Sequence, residues 1–168
     1  NDTLEAGLAY YNPAFLHPSM NQQLVANYVN YIADINAGYV LYAFDKPAIG
    51  TFAAGVHYLN YGNFIEADEE GNQHGTFTAA DYALNLIYNR SLTANIRAGL
   101  NLKPIYSKYE TYSSFGLAAD LGISYVDSAG LFSAGFVLRN MGTQLTNYAK
   151  GEYSEKEVVP FDFQIGFS

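Results

Sequence analysis

Between Ala80 and Lys103 the sequence alternates with a period of two. Ala80, Tyr82, Leu84, Leu86 and Tyr88 fall on one side, and Asp81, Ala83, Asn85, Ile87 and Asn89 on the other. After Ser91 and Leu92 the pattern resumes, with Ala94, Ile96, Ala98, Leu100 and Leu102 facing one way and Thr93, Asn95, Arg97, Gly99, Asn101 and Lys103 the other. Successive side chains of a strand point to opposite faces, so this is the strand period. A helical reading would place Asn85, Asn89 and Arg97 in the buried stripe. The stretch therefore predicts a β-hairpin with a tight turn at Ser91 and Leu92.

The same alternation predicts further strands at residues 22–31, 36–44, 51–60, 115–126, 131–139 and 160–168. It is cleanest late in the chain: Leu117, Ala119, Leu121, Ile123 and Tyr125 share one phase, as do Phe161, Phe163, Ile165 and Phe167. Residues 1–21 break it with two prolines and the apolar cluster Tyr10, Tyr11, Phe15 and Leu16, predicting a turn or short helix packed against the strands. The links alternate in length: 45–50, 91–92 and 127–130 are short, and 61–79, 104–114 and 141–159 are long. The link at 32–34 is short on the long side. In an up-and-down meander alternate links share a rim, so the long ones gather at one end. Outer-membrane barrels have this asymmetry, and their strands run to about 10 residues.

A soluble sandwich also alternates, but its wet face usually carries Lys, Glu and Arg. Here the polar phase is mainly Asn, Gly, Ser, Thr and Ala, which suits the inside of a barrel whose outside meets lipid. In that orientation Leu100→Arg costs roughly 2–4 kcal/mol on the lipid side, whereas Asn101→Arg costs little. Composition points the same way. Aromatic residues are 16% of the chain, as 16 Tyr and 11 Phe with no Trp, and charged residues only 14%, against about 25% in ordinary soluble domains. No run of about 18 apolar residues occurs, so any crossing of a membrane is by a barrel. A net charge of −8 with 8 Lys and Arg argues against nucleic-acid binding. There is no cysteine, which excludes disulfides and thiolate metal sites.

Candidate chemistry is sparse. His17, His57 and His74 share no metal-ligand spacing. The acidic stretch Glu66, Asp68, Glu69 and Glu70 lacks the spacing of a calcium loop and reads as solvated. No nucleophile elbow or phosphate loop is present, so no enzyme activity and no cofactor is expected. Asp81, Arg97, Lys103, Asp120 and Arg139 fall on the inward phase, where they either pair with one another or line a path through the lumen. Gly55, Gly99, Gly122, Gly135 and Gly166 share that phase and leave room for a plug.

The residues YYNPAFL, with Asn12, Pro13 and Ala14 at the turn, resemble the N-terminal hatch of fatty-acid-transporter-like outer-membrane barrels. GTFAAGVHYLNYGNF from Gly50, GTFTAADYALNLIYNR from Gly75, LKPIYSKYETY from Leu102 and LRNMGTQLTNY from Leu138 narrow the resemblance to the PorV/PorQ family of the type IX secretion system. The resemblance implies a monomeric barrel of about fourteen strands. On that expectation residues 1–168 form a single, incomplete barrel domain, with a hatch at 1–21 and about eight strands over 22–168. It also implies a non-enzymatic role at the bacterial outer membrane, in a complex that secretes cargo proteins bearing a C-terminal sorting domain and attaches them to the surface. The partners implied are the lipid bilayer, the other proteins of that complex and the sorting domains. From the residues, Tyr148, Lys150 and Tyr153 in the long link 141–159 are candidate partner contacts. Two other functions compete: a transporter of hydrophobic small molecules gated by the hatch, and a soluble β-sandwich binding module. The polar inward phase disfavours the transporter, since a hydrophobic ligand needs an apolar pocket.

Overall fold

A computed structural model describes residues 5–67, 73–110, 112–146 and 160–168. The fold is all-β. Eight strands, β1 (Leu24–Asn30), β2 (Asn36–Lys46), β3 (Gly50–Ala67), β4 (Gln73–Ser91), β5 (Ile96–Tyr109), β6 (Tyr112–Val126), β7 (Ser133–Thr146) and β8 (Asp162–Phe167), form one antiparallel sheet in sequence order. Each strand pairs with its neighbour in the chain. This is the expected up-and-down meander. The sheet is not closed: β1 and β8 are its two edges, as in half of a barrel.

The sequence pattern sets the strands but not their lengths. β3 and β4 run for 18 and 19 residues, well past the about 10 that cross a bilayer. The expected long links at 61–79 and 104–114 are thus mostly strand, and the hairpins project beyond the rest of the sheet. Two irregularities hide this in the sequence. Between Asn60 and Asn63 the β3–β4 register slips by one residue, which breaks the strict relation between sequence parity and face there. In β5, Pro104 looks like a strand breaker, yet it stands where the β4–β5 ladder is interrupted between Ile105 and Leu102, so its missing N–H breaks no ladder bond there. The turn expected at Ser91 and Leu92 is longer. β4 continues through Ser91, and the Thr93 Oγ1 accepts from the backbone N–H groups of Asn95 (3.2 Å) and Ile96 (3.0 Å), which delays β5 to Ile96.

The two faces divide as the alternation predicts. Asn85, Asn89, Asn101 and Asp120 are 1–2% exposed on the concave face, while Leu84, Leu86, Leu121 and Ile123 are 40–50% exposed on the convex one. A soluble sheet has the opposite arrangement, because burying an amide without a partner costs several kcal/mol in order of magnitude. The convex face also carries aromatic ladders: Tyr42, Phe44 and Phe52 stack in succession with Tyr88 tilted against Phe52, and Tyr58, Tyr82 and Tyr106 adjoin one another at tilted angles. No helix among the described residues is long and apolar enough to cross a membrane.

The concave face is filled from within by three 3₁₀ turns, Ala6–Tyr10, Pro13–Phe15 and Pro18–Met20. Prolines suit the starts of the second and third turns, where φ is already set and no N–H is needed. Ala6, Ala9, Tyr10, Leu16 and Met20 pack against Leu41, Ala43, Ala53 and Ile87 to make the apolar core. Leu16, Met20 and Leu41 have no exposed surface, and each contributes about 1.5–3 kcal/mol by leaving water. The described part of the segment expected at 1–21, from residue 5 on, is therefore docked inside the curve of the sheet.

Candidate functional site: the hatch seat and the inner polar face

Asn12, Pro13 and Ala14 are buried at the centre of this docking. The Asn12 Oδ1 accepts from the Ala14 N–H at 2.8 Å, closing the turn on itself, and its Nδ2 donates to the Phe136 carbonyl on β7 at 3.3 Å. The Asn89 Nδ2 of β4 donates to the Pro13 carbonyl at 3.1 Å, and the Ser124 Oγ of β6 donates to the Ala14 carbonyl at 3.3 Å. Three strands thus hold three consecutive residues by their polar backbone and side-chain atoms. Two glycines make the approach possible. A Cβ at Gly99 would collide with the Pro13 carbonyl carbon, and one at Gly122 with the Asn12 Oδ1. The inward glycines of β5 and β6 are the seat of the turn.

The ends of the hatch are held differently. The Tyr10 hydroxyl donates to the Val40 carbonyl at 3.1 Å and its ring packs on His57 at 4.0 Å between centroids. Burial, and then the neighbouring Tyr39, raise the Tyr10 phenol well above its ordinary value, so it stays a donor. The His17 Nδ1 accepts from the Ser19 N–H at 3.1 Å and caps the third turn. Burial, and then Arg97, lower the His17 imidazole below its ordinary value, with Asp45 opposing them.

Beyond the hatch the concave face carries a connected polar layer. Lys103 pairs with Asp120 (Nζ to Oδ1, 2.6 Å) and also donates to Asn140 Oδ1 at 2.5 Å. The same Asp120 Oδ1 accepts from the Asn140 N–H at 2.8 Å, and Oδ2 accepts from Asn101 Nδ2 at 3.1 Å. Asn101 Nδ2 also donates to Asn85 Oδ1 at 3.0 Å, and Asn85 Nδ2 reaches His57 Nδ1 at 3.3 Å. The chain of contacts crosses five strands, from β3 to β7. Asn140 stands at a register shift between β6 and β7 with a φ of 57°, a left-handed backbone that Asn tolerates better than most residues.

The inward-phase charges therefore have different fates. Lys103 and Asp120 pair, as a charge facing inward requires. Asp81 accepts from the Tyr61 hydroxyl at 2.6 Å, and Arg97 Nη2 donates to Ser91 Oγ at 3.2 Å. Arg139 makes no hydrogen bond or ion pair among the described residues, and its Nε is buried. The fully buried asparagines and the two seat glycines matter more to the geometry than the charges do. The only sequence signal for them is their common inward phase. Tyr148, Lys150 and Tyr153 lie outside the described residues, as do residues 68–70 of the acidic stretch. Among the described residues no group of three or more His, Asp or Glu side chains converges to hold a metal.

Two cavities flank the hatch. One, of about 560 Å³, lies between the hatch and β7–β8 and is lined by Leu8, Tyr11, Phe15, Val137, Arg97 and Gln164 among others. The second, of about 330 Å³, lies over the polar layer. Together these features define a class: an open antiparallel meander with a polar concave face, an apolar convex face and an N-terminal plug. Comparison with known protein families, with curated proteins and with solved structures finds no match.

Proposed function

We propose that this chain forms the wall and hatch of a bacterial outer-membrane barrel that acts, without enzymatic activity, in type IX protein secretion, in the manner of PorQ. The membrane part of this reading is carried by one observation: apolar side chains cover the convex face, while asparagines and an ion pair are sealed inside. That arrangement is stable when lipid surrounds the convex face and costly when water does. The secretion part rests on the ordered set of motifs that resembles the PorQ side of its family. The lumen beside the described strands is occupied by the hatch and the polar layer, which favours a role for the rim over one for a permeation path. The expected link at 141–159 gives its first six residues to β7, and partner contacts are accordingly assigned to the part after Thr146, with Tyr148, Lys150 and Tyr153 as anchors for other secretion and attachment proteins or for cargo sorting domains.

The test compares two changes in the full-length protein. Removing residues 147–155 is expected to abolish co-purification of partners and surface attachment of cargo, whereas Arg97→Ala leaves both near normal. Attachment that survives the loop deletion overturns the reading.

One observation favours a second reading, a transporter of hydrophobic small molecules. The larger cavity beside the hatch is lined mainly by apolar side chains, Leu8, Tyr11, Phe15 and Val137 among them, and its size falls within the range of small-molecule sites. On this reading Phe15→Trp, which fills the cavity, blocks uptake of an apolar solute into cells or proteoliposomes and leaves cargo attachment intact.

A further inference from the structure

The hairpins β3–β4 and β5–β6 run on past the ladder of Tyr58, Tyr82 and Tyr106, and beyond it the two faces of the sheet exchange character. The extra residue that β3 carries between Asn60 and Asn63 turns its later even positions to the concave side, while β4 keeps its parity. Phe64 thereby stands opposite Phe77 on the inner side, and Tyr109 and Tyr112, opposite each other, continue the row across β5 and β6. The Phe64 and Phe77 rings stack at 5.2 Å between centroids, and Tyr109 tilts against Phe77 at 5.0 Å. The outer side of the same segments carries Asn63, Thr76, Thr78, Lys108 and Ser113, with Ile65 as an apolar exception. Below the ladder the order is the reverse, polar inside and apolar outside.

The inner row is no core. Phe64, Tyr109 and Tyr112 are 39%, 45% and 50% exposed, and a contiguous exposed apolar surface marks a contact site. Charge says what kind. Glu66 lies two positions from Phe64 on the same side, Asp81 stands on the inner phase of β4, and Glu110 follows Tyr109. Among the described residues beyond the ladder the only Lys or Arg, Lys108, is on the outer side. A phosphate backbone would be repelled by these carboxylates. A cation is drawn both to them and to the ring faces, Arg most often. The rings stand side by side in a row, not around one point as in the cages that take a single small cation. The row crosses four strands, about 14 Å at the usual strand spacing, which matches an extended segment of about four or five residues.

We propose that this inner aromatic row is a docking surface for an extended, arginine-bearing polypeptide segment, its guanidinium groups lying on the rings and drawn in by Glu66 and Asp81. The surface is separate from the contacts assigned after Thr146 and from the two cavities that flank the hatch. It rests on the membrane reading only for its access from outside, where the polar outer side of the hairpins suits water. Binding is therefore measured in detergent, so that its failure leaves the lipid-facing assignment untouched.

The experiment titrates purified full-length protein in a non-ionic detergent into a fluorescent alternating Arg-Ser decapeptide and follows anisotropy. Lys-Ser and Glu-Ser decapeptides and the uncharged sugar maltoheptaose serve as comparisons. Saturable binding of the Arg-Ser peptide is expected, weakening as salt rises from about 50 to about 300 mM, with the Lys-Ser peptide weaker at equal charge and the Glu-Ser peptide silent. Phe77→Leu combined with Tyr109→Leu keeps the charge and the apolar bulk but removes two ring faces, and is expected to weaken binding at least about fivefold. Ile65→Ser, on the outer side, leaves it unchanged. Should the double variant not fold, the comparison of Arg-Ser with Lys-Ser peptide on the wild type carries the test. No saturable binding of the Arg-Ser peptide, equal binding of the two cationic peptides, or equal binding by the folded double variant overturns the proposal. Saturable binding of maltoheptaose in place of the Arg-Ser peptide overturns it in favour of a saccharide.

Discussion

At the scale of single residues, the hatch is fixed by groups with no room for change. Gly122→Ala places a methyl group on the Asn12 side chain, and overpacking of this sort costs about 1–3 kcal/mol. The expected result is a lower melting temperature and a hatch cut by protease under conditions where the wild type resists. His17 gives a second handle. Its folded form prefers the neutral ring, so the folded chain binds fewer protons than the unfolded one. The contribution is complete above the ordinary histidine value of about 6.5 and is lost as pH falls below it, through the lowered folded value. Arg97 and Asp45 both act on the ring, the first in the direction of the shift and the second against it. With the intrinsic pH dependence of amide exchange divided out, the protection of the Ser19 and Met20 amides is expected to fall between about pH 6.5 and pH 5, and His17→Gln to flatten that dependence. Asn101 shows where reading residues one at a time fails. As a polar inward position it promised to tolerate arginine, but it is buried and bonded to Asn85 and Asp120. Asn101→Arg is accordingly expected to unfold the polar layer.

At the scale of elements, the alternation of Tyr82, Leu84 and Leu86 with Asp81, Ala83 and Asn85 announced both the strand and its orientation, because a period of two leaves little choice once one face is apolar. Strand ends were less legible. Residues 61–67 and 73–79 look like a loop, since the slip after Asn60 breaks the relation between parity and face and acidic residues follow. Residues 104–109 look like one because they begin with proline. The hatch was legible as a packed segment from Tyr10, Phe15 and Leu16, yet not its partners, which lie on strands far along the chain. Two substitutions test these assignments. Leu16→Ala removes a fully buried side chain from the hatch core and is expected to cost about 2–5 kcal/mol, read from equilibrium unfolding. Leu84→Arg on the convex face is expected to cost about 2–4 kcal/mol in lipid vesicles, while Leu131→Arg, in the turn before β7 and 86% exposed, costs nothing measurable. Equal penalties at the two sites would remove the lipid-facing assignment.

For the whole molecule, the two free edges set the terms. β1 and β8 each leave a row of backbone donors and acceptors unpaired on one side, and lipid requires every such group to be paired. With eight strands in strict alternation, β1 and β8 run antiparallel, so any further strands that close the ring antiparallel throughout must be even in number. Paired cysteines, one on β8 and one on the strand that follows it round the ring, are expected to cross-link spontaneously in a chain that has no cysteine of its own. The hatch imposes a timetable on the assembly of such a ring. Its bonds to Asn89, Ser124 and Phe136 join residues 76, 110 and 124 positions apart. This segment, which precedes the strands in the chain, thus has no berth until β7 is in place. Closure of such distant contacts is slow, and during that wait Leu16 and Met20 remain uncovered. An escort that shields this stretch, or a wall that assembles before the N-terminus arrives, is therefore a requirement of the fold.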